Sequence, residues 1–246
     1  MIHNLQLRQF NAGKSGGRFE IRADTGDNEA TVYLYDVIGK DWIGEGVSSL
    51  DFAKALNQIT AGTIHLRVNS PGGDVFEARA IQTTLRAHSA RVVAHIDGLA
   101  ASSATYIAMG ADEIRMAEGA FFMIHNAWGL SIGNSAEMRA MADVLDKVDA
   151  SICADYMAKT GMEEKKLCKM MDAETWMTAQ EALDMKFVDS IFSGKKVKNQ
   201  WDLTVYNKVP AIVAAEIEPE EPKEPEKPVY DLEMMRRRMN LIAAHV

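Results

Sequence analysis

The chain has 246 residues, with 27 Lys and Arg against 35 Asp and Glu, and an apolar share of 47%. That is enough for a sizeable core, and nothing in the composition signals global disorder. A net charge of -8 repels a phosphate backbone, and the one obvious basic cluster is Arg236, Arg237 and Arg238, so no nucleic-acid partner is expected.

Cys153 and Cys168 lie fifteen residues apart, without a CxxC pair or a neighbouring His. They read as reduced thiols in a cytoplasmic protein, and neither a zinc site nor a disulfide is expected. The first residues, MIHNLQLRQF, lack a charged start followed by an apolar run, and no stretch reaches the roughly 18 apolar residues of a membrane span. The mature protein is therefore expected to begin close to Met1 and to stay out of membranes.

In chain order, RFEIRAD (18–24) and ATVYLYDVIG (30–39) are rich in β-branched and aromatic residues and flank the turn-forming TGDN, so both read as strands. Ser48 or Ser49 caps a helix through DFAKALNQI, with Phe52, Leu56 and Ile59 on one face. TIHLRVN (63–69) follows as a buried strand and runs into SPGGD. The helix VFEARAIQTTLRAH and the strand RVVAHIDG complete a βαβ unit. LAASSATYIAMGA (99–111) reads as a small-residue helix, and DEIRMA and AFFMIHN as short strands. This alternation predicts an α/β fold with a mainly parallel sheet covered on both faces.

Asn134 and Glu137 form a capping pair for a long helix in which Met138, Met141, Leu145, Val148, Ile152 and Tyr156 recur every three to four residues until Gly161. A short helix is predicted over 163–171. Thr178 with Glu181 opens another, AQEALDMK, before the apolar FVDSIF. These signals divide the chain into an N-terminal segment (1–17), a compact domain (18–192), an acidic Pro/Glu linker (193–230) and a C-terminal helix or tail (231–246). Four of the six prolines fall among alternating charges within EIEPEEPKEPEKP, a composition that buries little.

The segment richest in chemistry is NSPGGD (69–74), where a buried strand meets a helix. Gly72 and Gly73 permit a tight turn, and they also leave backbone N–H groups unshielded at a helix start, suited to a developing oxyanion. One βαβ unit later GLAASSA (98–104) occupies the equivalent place, so a right-handed crossover brings both turns to one sheet edge. A serine there is ordinarily a cap, but Ala100, Ala101 and Ala104 leave room for a substrate backbone. Of the six histidines, His65 and His95 fall within strands, His88 at a helix end, and His3 and His245 near the termini. His125 alone follows an apolar strand into a loop, where an imidazole can reach across the strand ends. Asp172 and Glu174 are the acids available to orient it. GKSG (13–16) fails as a phosphate loop, because GxxxxGK[ST] requires glycine where Arg8 stands.

The order NSPGGD, GLAASSA, FFMIHNAWG and ETWMTAQEALDMKFVDSI resembles the Clp protease proteolytic subunit family, in particular its phage head-maturation (prohead protease) branch, over roughly residues 30–192. The resemblance implies a ClpP/crotonase-like core of repeated ββα units with a helical handle. It also implies Ser102 as nucleophile, His125 as base, and the amides of Gly73 and Ser103 as the oxyanion hole. Ser103 carries a rival hydroxyl. The family's Asp aligns with Glu174, and Asp172 is the alternative acid. The implied reaction is serine peptide hydrolysis needing no metal or nucleotide cofactor. The implied partners are protein substrates, namely virion capsid, scaffold or portal proteins, and further copies of the chain in a homo-oligomeric ring gripped through the helix from Asn134 to Thr160. The C-terminal tail is a further candidate for binding assembly partners.

Three other readings compete. A crotonase-like acyl-CoA enzyme shares the two-amide oxyanion hole but needs no Ser/His pair. An assembly scaffold would keep the fold without useful catalysis, and Glu174 in place of Asp is the feature that admits it. A Ser/Lys peptidase requires a base lysine beside the serine-bearing turn.

Overall fold

Strand propensity and period-two burial organise the molecule around a sheet. The structure, a computed structural model, describes residues 18–24, 28–40, 46–193 and 201–213, the first of these as backbone only. The GKSG segment, the Pro/Glu stretch and the C-terminal amphipathic segment lie outside the described residues. Eight strands are present among those described: β1 (Arg18–Asp24), β2 (Glu29–Tyr35), β3 (Thr63–Ser70), β4 (Arg91–Ala101), β5 (Glu113–Ala117), β6 (Phe121–Ile124), β7 (Thr175–Thr178) and β8 (Ser190–Phe192). Their order is β1-β2-β3-β4-β5-β8, with β6 branching from β4 and β7 from β6. The β2–β3, β3–β4, β4–β5, β4–β6 and β5–β8 pairs are parallel, whereas β1–β2 and β6–β7 are antiparallel.

The helices are α1 (Ser49–Leu56), α2 (Val75–Ala87), α3 (Ser103–Ala108), α4 (Ser135–Thr160), α5 (Glu164–Asp172) and α6 (Ala179–Asp184). Their ends follow capping chemistry. Ser48, not Ser49, caps α1, and Asp74 accepts from the amides of Phe76 and Glu77 at the start of α2. The Asn134/Glu137 and Thr178/Glu181 capping boxes both form, and Gly161 closes α4 in the left-handed conformation. The main core joins Leu34, Ile64, Leu66 and Val68 of the sheet to Phe52, Ile81, Leu85 and Ile107 of the helices, all essentially fully buried. Each such side chain contributes about 1.5–3 kcal/mol on leaving water.

Four expectations change. First, β4 continues through Ala101 and α3 starts only at Ser103, so LAA belongs to the strand and not to the helix. Second, TWMT, to which the sequence pattern assigns no element, forms β7, held by β6. Third, the sheet is covered unevenly: His65 and Arg67, which alternate with buried residues on β3, remain half-exposed on a polar face. Fourth, the compact part does not end at Phe192. Trp201, Leu203, Tyr206 and Val213 form a second buried cluster with Val37, Leu99, Ala101 and Met123, because this stretch is apolar enough to cover the strand ends. The extended-linker assignment therefore fails for residues 201–213.

Helix α4 is buried only toward its C-terminal end, at Ile152, Cys153, Tyr156 and Thr160; its first half is largely exposed. Cys153 and Cys168 are free thiols with sulfurs 3.9 Å apart. No helix among the described residues is long and apolar enough to cross a membrane.

Candidate active site

Strand pairing brings the candidate residues together. Val68 pairs with Ile96 but Ser70 pairs with Ala100, so β4 carries two extra residues against β3. This irregularity re-aims the end of β4. The parallel β4–β6 pairing ends at Ala101↔Met123, and the Ser102 amide donates to the Met123 carbonyl at 2.9 Å. Ser102 and His125 thus leave adjacent strands side by side. The Ser102 Oγ and His125 Nε2 are 2.7 Å apart, a nucleophile–base hydrogen bond. Ser102 sits at φ 54°, ψ −128°, a sharp strand-to-helix turn that a non-glycine residue adopts only under strain.

Gly72 and Gly73 flank this turn with φ of +93° and +151°. A Cβ at Gly72 would lie 2.6 Å from the Ala101 carbonyl oxygen, and one at Gly73 would collide with the Ile38 backbone. The close approach therefore requires glycine at both places. On either side of Gly73, the Ile38 amide donates to the Gly72 carbonyl and the Asp74 amide donates to the Ile38 carbonyl. The Ser103 amide opens α3, at a position with no intrahelical acceptor. The Ser103 hydroxyl is buried with no hydrogen-bond partner among the described residues, so of the two serines it is Ser102 that engages the imidazole.

The two acids differ sharply. Asp172 is exposed and accepts from Asn126 Nδ2 at 2.8 Å. Glu174 is buried, with φ +50°. Its carboxylate accepts from the Trp176 indole at 3.2 Å, the Asn207 amide at 2.9 Å and the Lys208 amide at 2.6 Å. Burial alone pushes this carboxyl up, but the two amides, the indole and attraction to His125 outweigh it and hold Glu174 below its ordinary value. Of the two acids, Glu174 is the buried one whose carboxylate is held by several donors.

A cavity of about 250 Å³ opens beside the Ser102–His125 pair. The loop after β6 and one face of α4 supply apolar walls, including Trp128, Leu130, Met141, Leu145 and Val148, and Gly73, Ser102 and Ser103 also line it. The Ala127 amide donates to Asp149 Oδ1 at 2.6 Å, tying the loop after His125 to α4. Below, Tyr156 hydrogen-bonds Thr105 Oγ1 at 2.7 Å.

Comparison with known proteins matches this arrangement to one family. The profile of the Clp protease family matches residues 22–195. The chain belongs to the Clp protease family. It is a serine-type endopeptidase. The ATP-dependent Clp protease proteolytic subunit 1 of Prochlorococcus marinus subsp. pastoris is 26% identical over 173 residues, covering 70% of this chain and 87% of the relative. The proteolytic subunit of Streptococcus suis is 33% identical over 149 residues, covering 55% and 71%. A ClpP1 mutant from Listeria monocytogenes shares the fold with a TM-score of 0.59 at 22% identity, covering 67% of this chain and 92% of that one.

Sequence reasoning missed Asn207 and Lys208, which hold Glu174 through their amides, and Tyr206. The Tyr206 phenol donates to the Pro71 carbonyl at 2.5 Å, and its ring packs edge-on against His125 at 5.4 Å. The available signal was the aromatic and apolar content of WDLTVYN, which differs from the charged Pro/Glu stretch after it.

Proposed function

We propose that this Clp-family peptidase works by acyl transfer through Ser102, His125 and Glu174, with the amides of Gly73 and Ser103 as oxyanion donors. The observation that carries the reading is the 2.7 Å Ser102–His125 contact on a strained turn beside Gly72 and Gly73. His125 Nε2 takes the Ser102 proton as Oγ attacks the peptide carbonyl, and the oxyanion forms toward the two amides. The imidazolium then protonates the leaving amine. Water, deprotonated by the same imidazole, releases the acyl group and restores the serine. The charge of Glu174 steadies the imidazolium while that proton is in transit.

The apolar walls of the cavity favour a bulky apolar side chain next to the scissile bond. Virion structural proteins processed during phage head maturation are the proposed substrates; the ordered sequence segments that resemble the prohead protease branch support this. A homo-oligomeric ring is the proposed assembly, supported by exposed Met138 and Val144 on α4 and exposed Trp128, Leu130 and Ile132 nearby.

Fluorophosphonate labelling with peptide mapping tests the chemistry. Label on Ser102 that disappears in Ser102→Ala supports the reading, and an unlabelled assembled wild type rejects it in favour of a scaffold. Cleavage of co-expressed capsid, scaffold or portal protein by wild type but not by Ser102→Ala tests the substrate assignment.

A further inference from the structure

Residues 201–213 lie beyond the stretch that matches the Clp protease family, yet they touch two parts of the catalytic apparatus. The first contact is Tyr206. Its phenol donates to the carbonyl of Pro71, the residue immediately before the Gly72–Gly73 turn, at 2.5 Å. Its ring packs edge-on against His125 at 5.4 Å and against Trp176 at 5.9 Å. The second contact follows directly in sequence. The Asn207 and Lys208 amides donate to opposite oxygens of Glu174, and the Trp176 indole shares the oxygen that Lys208 holds.

We propose that residues 201–213 are a positioning strap, in which the Tyr206 hydroxyl fixes the oxyanion turn and the Asn207 and Lys208 amides fix the carboxylate of Glu174. The proposal rests on the Ser102/His125/Glu174 assignment made above. The physical argument begins with reach. Glutamate has one more rotatable bond than aspartate, so a Glu in this role needs more restraint to keep its carboxylate in place, and backbone amides are rigid donors. The strap is itself anchored, because Trp201, Leu203 and Val213 are buried against Val37, Leu99 and Met123 at the strand ends. Tyr206 is buried, its phenol donates to Pro71 and also lies within hydrogen-bonding reach of Ser102, and desolvation pushes that phenol well above its usual range. Tyr206, Asn207 and Lys208 do not line the substrate cavity. Their influence should therefore fall on turnover and not on substrate affinity.

The test uses the full-length protein and four comparisons against wild type: Ser102→Ala, Tyr206→Phe, the pair Lys208→Pro and Lys208→Ala, and Leu56→Ala. The readouts are the rate of fluorophosphonate labelling at Ser102, kcat and KM on a fluorogenic peptide with an apolar residue before the scissile bond, and melting temperature. Tyr206→Phe, which removes one hydroxyl and keeps the ring, should lower kcat by about tenfold with KM changed by less than about twofold, as expected when an oxyanion donor loses its alignment. Lys208→Pro, which lacks the N–H, should label and turn over at least about fivefold more slowly than Lys208→Ala, which keeps it. Leu56→Ala, in the main core on α1 and outside both the strap and the cavity, should lower the melting temperature while leaving kcat unchanged.

If Tyr206→Phe and Lys208→Pro turn over like wild type while Ser102→Ala is inert, the strap is only a cover and the proposal fails with the active-site reading intact. Loss of kcat that merely tracks loss of melting temperature across all variants, Leu56→Ala included, also overturns it. Undiminished labelling of Ser102→Ala would instead reject the serine assignment on which the strap proposal depends.

Discussion

Ser102 at φ 54° and Glu174 at φ +50° are two of the four non-glycine residues with positive φ among those described, and both belong to the proposed catalytic set. Strain of this kind persists only where surrounding bonds over-determine it. At Ser102 the Met123 carbonyl and α3 do so, and at Glu174 the bond from its own amide to the Met171 carbonyl and the strap amides do so. His125→Ala should therefore lower kcat by about 10⁴-fold or more while leaving the far-UV circular dichroism unchanged, since a general base is removed from a half-buried position. Retained activity would remove His125 from the mechanism. Glu174→Gln should slow peptide cleavage more than Asp172→Asn, because the buried Glu174 is the carboxylate attracted to His125. The reverse ranking in steady-state assays would make Asp172 the acid.

Among the elements, β4 and β5 are joined on their solvent side by Glu113, which accepts from Arg91 at 2.6 Å and from Arg115 at 2.6 Å. Those two hydrogen bonds, the Arg115 one foremost, pull the Glu113 carboxyl from 4.5 to about 2. A carboxyl depressed in the folded state stabilises fully above its unfolded value, and that contribution disappears as pH falls through the folded one. The stability supplied by Glu113 is thus complete above pH 4.5 and lost on the way down to about 2. Urea unfolding of wild type and Glu113→Gln at successive pH values should show the two curves converging across that window, and converging further with added salt, since the pair is surface-exposed. Curves that stay parallel would show that the ladder is not felt in stability. At the start of α4, Asn134→Ala removes a capping box from a helix whose first half has little tertiary support, and should cost about 1 kcal/mol in the same unfolding assay.

For the molecule as a whole, the partly unpacked α4 is the feature that bears on assembly. Its inner face lines the cavity beside Ser102 through Met141, Val144, Leu145 and Val148, while Met138, outside the cavity, faces solvent. A handle that both walls the cavity and grips a neighbouring subunit would couple assembly to activity. Sedimentation velocity should show wild type as an oligomer and Met138→Glu, on the exposed side of α4 and outside the cavity, shifted toward smaller species, with peptide cleavage falling in parallel. A monomeric wild type that is fully active would reject the ring.

Much of this protein was legible in its sequence because its signals are local. Period-two apolar residues mark β3, the capping boxes mark α4 and α6, and the glycine pair and small-residue serine turn mark the sheet edge where chemistry belongs. The pairing of Ser102 with His125 was also within reach, since both follow strands whose order the βαβ pattern implies. What remained for the tertiary structure were features made by long-range contacts. The continuation of β4 through Ala101 depends on β6 pairing beside it, which overrides the helical look of an alanine-rich run. The difference between Glu174 and Asp172 is one of burial and of donors some thirty residues away, which no spacing rule reports. The strap itself was hidden because WDLTVYN has no periodic partner of its own, and its aromatic residues acquire meaning only where Tyr206 meets the Pro71 carbonyl.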